Sequence, residues 1–264
     1  MQRRHRFYRH LFVVAVLVLA SLALPFPWHR VGALGTMVLV LLLAIELGQP
    51  IRARQSRFHW NDRLYRLEGI LALLFETLWI MSPRQFAFIG FPVLIVTTAF
   101  IAWSLRRLLI CLSQEARVGM DVLGGAVAGY LLLGIVGGLL FSVLETIVPG
   151  SFVDHADKGQ ELLLTGLGSD AAGFRIWDLD FSRIDYFAFV SLTTVGYGDI
   201  IPATPLSQVA SVSLSICGPL YLAIVMGLLI SRYTLQGEGE EQVKQRDSVA
   251  PGPRPRSDAD WADR

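Results

Sequence analysis

Apolar residues fall in six long runs broken by charged or turn-rich stretches, and these runs predict helices near 11–28, 31–47, 64–81, 86–105, 121–148 and 206–230. A helix crosses a bilayer core with about 20 residues, so each run is near the length of one span. Gly48 and Pro50 stop the second run, and Ser82-Pro83-Arg84-Gln85 makes a tight turn between the third and fourth. A shorter run, Ile184 to Thr194, suits a helix of about three turns. Ser182, with Asp185 three residues on, reads as its capping box. The predicted fold class is an all-α membrane protein of about six transmembrane helices.

Composition agrees. Of 264 residues, 53% are hydrophobic and 17% charged, with mean hydropathy +0.50, which is too apolar for a soluble globular domain. The net charge of +1 gives no argument for nucleic acid, because the arginines are concentrated in loops. Arg3, Arg4, Arg6 and Arg9 precede the first run, Arg52 to Arg66 follows the second, and Arg106, Arg107 and Arg117 follow the fourth. Basic loops mark the cytoplasmic side, so both termini are placed there, in the cell membrane. The first run also resembles a secretory signal, with Ser21-Leu22-Ala23 as a cleavage site; the favoured reading is a retained span.

Charges within spans carry further information. Glu76 lies inside the third, where a carboxyl must face other helices and be paired or protonated. The fourth carries no arginine between Phe86 and Leu105, so it lacks the charges that a voltage sensor moves through the field. Arg106 and Arg107, at its end, read as snorkelling anchors. Cys111 and Cys217 have no metal-ligand spacing and read as buried small hydrophobes. No nucleophile with a nearby histidine and no phosphate loop occurs, so the chain is not expected to be an enzyme or to need a cofactor. Residues 149–185 hold seven acids against three bases, a modest attraction for cations.

The most informative stretch is Thr193-Thr194-Val195-Gly196-Tyr197-Gly198-Asp199. Glycine adopts positive φ readily while Val and Tyr do not, so their alternation lets successive carbonyls of an extended segment face one axis. Rings of such oxygens can replace the water shell of a monovalent cation. Thr194 to Asp199 resembles the selectivity filter of potassium channels, and the layout of a short helix followed by a span is similar too.

The resemblance implies a re-entrant pore helix over 184–194 and a filter over 194–199, between an outer helix 121–148 and an inner helix 206–230. It implies potassium sites on the carbonyls of Thr194, Val195, Gly196 and Tyr197, with the Thr194 hydroxyl closing the innermost. Gly196 and Gly198 supply backbone freedom, Val195 and Tyr197 pack outward, Asp199 ends the filter, and Thr193 supports it. Many family members carry two tryptophans where this chain has Tyr186 and Phe187; Tyr186 can still bond to Asp199, whereas Phe187 has no donor. Gly218, 20 residues after Gly198, matches a gating hinge, with Pro219 beside it and Gly227 as a second weak point. Leu222 and Met226 follow at helical spacing as cavity lining.

One filter segment per chain implies a homotetramer in the lipid bilayer, with potassium as the permeant substrate. The domains expected are an N-terminal membrane region over 1–118, a pore module over 119–231 with an extracellular turret at 149–183, and a disordered cytoplasmic tail over 232–264. A potassium transporter, or a non-conducting channel-like subunit, is the alternative.

Overall fold

The computed structural model describes residues 2–21, 30–47, 59–81, 90–115, 118–155, 160–162 and 179–249. The arginines at 52, 54 and 57, Arg117, the turn at 82–85, most of the acidic segment and the tail beyond 249 lie outside the described residues, as does the cleavage site beyond Ser21.

Helices α1 (Gln2–Ser21), α2 (Arg30–Leu47), α3 (His59–Met81), α4 (Gly90–Ser113) and α5 (Met120–Ile147) overlap the first five runs; α2 and α5 match them closely, whereas α1 and α3 begin earlier, extended by polar residues, and α4 ends later. Among the described residues, α4, α5 and the stretch Pro205–Glu238 are long and apolar enough to cross a membrane, and Leu34–Leu47 is a shorter apolar helix. The polar ends of α1 and α3, with Arg3, Arg4, Arg6 and Arg9 in one and Asp62, Arg63, Arg66 and Glu68 in the other, separate them from that group.

The core gathers around α5, which packs against α1, α4 and the two helices that follow it. Its glycines make this approach possible, and each close contact has a specific partner. Tyr8 of α1 lies on Gly125, and the Tyr221 hydroxyl lies on Gly129 and donates to the Ala126 carbonyl at 2.7 Å. Gly124, by contrast, faces open space.

The α3–α4 seam is polar where membrane helices are usually apolar. Arg107 is 4% exposed; its guanidinium bonds to Asp62 at 2.6 Å and lies 4.4 Å from the Tyr65 ring centroid. Tyr65 bonds to the Ser104 hydroxyl at 2.8 Å and donates to the Leu43 carbonyl at 3.1 Å. Glu76, buried as expected, accepts from Thr97 at 3.4 Å. Arg107 is therefore no snorkelling anchor, since a buried carboxylate one helix away holds its head inside; Arg106, the residue before it, is exposed.

After α5 the chain departs from an all-α fold. Strands β1 (Phe152–Asp154), β2 (Gln160–Glu161) and β3 (Ile200–Pro202) form a small antiparallel sheet in the order β2-β1-β3. Glu145, in the last turn of α5, sets the reversal by accepting from the N–H groups of Gly150 at 2.7 Å and Phe152 at 2.9 Å. Such short strands leave too little alternation to be read in a sequence.

Helix α6 (Phe181–Leu192) precedes the filter-like stretch, and α7 (Pro205–Tyr221) follows β3. Thr204 and Ser207 form a capping box with Pro205 at the first helical position of α7. Five residues, Ser207, Ser211, Leu214, Gly218 and Tyr221, form the buried stripe of α7. Cys217 lies off this stripe and is exposed, contrary to expectation, while Cys111 is buried.

A π-helical turn, Leu222–Met226, then widens the helix before α8 (Gly227–Val249). The Gly227 N–H reaches the Leu222 carbonyl, five residues back. Tail residues up to Val249 are thus helical, which overturns disorder for that part. Glu, Gln, Lys and Arg are good helix formers, and a helix already running through Gly227 needs no new nucleus.

Candidate functional site

Helix α6 starts one residue before Ser182 and is capped from outside: Asp180 accepts from the Arg183 N–H at 3.2 Å. The expected Ser182–Asp185 box does not form. Asp185 instead sets its carboxylate against the Gly138 backbone of α5, where burial, helped by the charge of Asp180, pushes its pKa up to about 7.

The other end of α6 explains the backbone of the stretch beyond it. The N–H of Thr194 bonds to the Ser191 carbonyl and that of Val195 to the Val190 carbonyl, both at 3.0 Å. These two bonds are the Schellman pattern, which requires a left-handed residue just past the helix cap. That residue is Thr194, at φ 59°. A β-branched residue there is unusual and costs about 1–2 kcal/mol. Gly196 at φ 59° and Gly198 at φ 80° repeat the left-handed conformation at alternate positions, and Val195 and Tyr197 between them do not share it. The alternation read from residue types is therefore present in the backbone.

Thr193 donates its hydroxyl to the Phe189 carbonyl at 2.7 Å. Asp199 is engaged at all three of its oxygens. Its carbonyl accepts from the His155 N–H at 2.7 Å, one carboxylate oxygen from the Ile200 N–H at 3.0 Å and the other from the Tyr186 hydroxyl at 2.8 Å. The bond to Asp199 holds the Tyr186 phenol above its usual range, so it stays a donor. Phe187 is buried between Phe141 and Phe152, with ring centroids 5.6 and 5.4 Å away. Val195 and Tyr197, expected to pack outward, are 51% and 72% exposed within one chain.

Gly218, expected as a hinge, is a contact point. A β-carbon there would overlap the carbonyl oxygen of Leu192, the last residue of α6, and Tyr130 donates to that same oxygen at 3.5 Å. Pro219 sits inside a continuous helix, and the irregularity falls one turn later, in the π-helical turn. Leu222 is exposed, whereas Met226 packs partly against the N-terminal core. Sequence reasoning missed His155 and Arg183, whose roles depend on the small sheet.

Residues 161–234 match the family model described as "Ion channel". Over 64 residues the chain is 30% identical to a Rhodopseudomonas palustris protein that carries the provisional name of a potassium channel protein. That match covers 24% of this chain and 14% of the relative. The chain thus carries helices long and apolar enough to cross a membrane, and its stretch from the end of β2 to the start of α8 is similar to ion channels.

Proposed function

We propose that the chain is one subunit of a potassium-selective channel. Potassium passes through a filter made by Thr194, Val195, Gly196 and Tyr197 from four identical chains. The observation that carries this reading is the alternation of left-handed residues at 194, 196 and 198 directly beyond the C-terminus of α6. Such a backbone turns successive carbonyls toward one side, and the last carbonyls of α6 add the negative end of its dipole. The exposed Val195 and Tyr197, and the wide apolar face of α7 opposite its buried stripe, are suited to packing against neighbouring copies. No cofactor is needed, because coordination replaces hydration and no bond is made. The packing of Tyr8 on Gly125 favours a first helix retained in the mature protein.

The test is reconstitution of purified protein into liposomes and recording of single-channel current. Currents reversing at the potassium equilibrium potential are expected, and Gly196→Asp, which sets a side chain and a charge on a left-handed backbone position, is expected to abolish them. Equal passage of sodium and potassium by the unaltered protein refutes the reading.

Voltage dependence is expected to be weak. Arg107, the one buried basic side chain among the described residues, is pinned by Asp62 and is not free to travel. The gating charge should fall below about one elementary charge per subunit, because each charge moved is worth about 2.3 kcal/mol per 100 mV and the fourth helix supplies no series of them. Several charges per subunit would contradict this.

A further inference from the structure

Strand β1 and the residue after it, His155, meet the pore-forming elements at three positions within four residues. Phe152 packs on Phe187 of α6 at 5.4 Å, Asp154 forms an ion pair with Arg183 of the same helix, and the His155 N–H donates to the Asp199 carbonyl at 2.7 Å. The same strand pairs with β3, Asp154 opposite Ile200 and Phe152 opposite Pro202, so it grips the chain as it leaves the filter-like stretch. Ser151 adds a further tie, its carbonyl accepting from the Ala203 N–H at 2.8 Å. On the side facing α6, position 187 offers a ring without a donor, and among the described residues the only side-chain donor to Asp199 is Tyr186.

From this we infer that β1 is a positioning element of the ion pathway. The His155 N–H and the Asp154–Arg183 pair hold Asp199 and the start of β3 in place, and so set how long the filter stays conductive. This rests on the potassium-channel reading above. His155 acts through its backbone; its imidazole is exposed and takes no part.

The experiment compares two substitutions at one site in reconstituted channels. Proline at 155 deletes the donor and is compatible with the extended residue before it, whereas alanine keeps the donor and deletes the ring. His155→Ala should hold its current as the unaltered protein does. His155→Pro should show current that decays roughly three- to tenfold faster during sustained conduction, the range that one lost hydrogen bond gives. Raising potassium on the β1 side should slow that decay, a dependence that simple misfolding does not produce. Should the proline variant fail to assemble, Arg183→Gln, which cuts the ion pair and leaves every backbone donor intact, reads the same quantity and should show the same potassium-sensitive decay.

Currents of unchanged duration in these variants, alongside a conducting unaltered protein, overturn the role of β1 and leave the channel reading intact. An unaltered protein without potassium current overturns both.

Discussion

Gly218→Ala is expected to stop potassium flux and lower the stability of the assembly by about 1–3 kcal/mol, the usual cost of overpacking. The added carbon meets the Leu192 carbonyl oxygen, then its carbon at 3.0 Å and its Cδ1 at 3.2 Å. The first two of these atoms belong to backbone, so no side-chain rotation relieves the overlap. Either α7 withdraws from α6, or Leu192 moves and carries with it Thr193 and Thr194, where the filter begins. Gly124→Ala is the control, since nothing lies within 4 Å of its new carbon. Thermal melting in detergent and flux in liposomes check both. A hinge at Gly218 predicts a different outcome, an alanine variant as stable as the parent with altered opening alone.

Arg107→Ala is the second large effect. It leaves Asp62, 8% exposed, without its cation, and breaking a buried pair from one side costs about 3–5 kcal/mol. It also removes the cation from the Tyr65 face. Replacing both partners by apolar residues, Asp62→Leu with Arg107→Met, should recover most of the loss, because no uncompensated charge then remains. The melting temperatures of the parent, Asp62→Leu, Arg107→Met and the combined variant form a double-mutant cycle. If Arg107→Ala melts with the parent, the pair stabilises nothing.

Hydrophobic runs located the apolar helices, three of them long enough to cross a membrane, because the bilayer imposes length and polarity on the chain, while the helices run past the ends of the runs, α1 starting at Gln2 and α4 ending at Ser113. The alternation of Gly196 and Gly198 with Val195 and Tyr197 was legible because positive φ is a local property of residue type. Thr194 shows the limit of that logic. Its left-handed backbone comes from two hydrogen bonds back to α6, which no residue preference announces. What escaped the sequence was tertiary. Arg107 looks like an interfacial anchor until Asp62 is seen across the seam, and Ser182 looks like a cap until Asp180 proves better placed. Gly218 looks like a weak point until the Leu192 carbonyl is found against it. The π-helical turn likewise depends on a register change that Leu222–Met226, taken as letters, do not encode.

That turn has a mechanical consequence. Beyond it, α8 continues as a 23-residue rod, roughly 33 Å long at about 1.5 Å per residue. Tyr221 is clamped to Ala126 immediately before the turn, and α8 is held again where Arg232 donates to the Ser113 carbonyl and Gln236 accepts from the Val118 N–H, so the arm begins near Gln236. A tilt of about 10° there sweeps the far end, roughly 20 Å away, through about 3 Å, by the rise of such a helix. Whatever grips that end works through a long arm, with small forces and large travel.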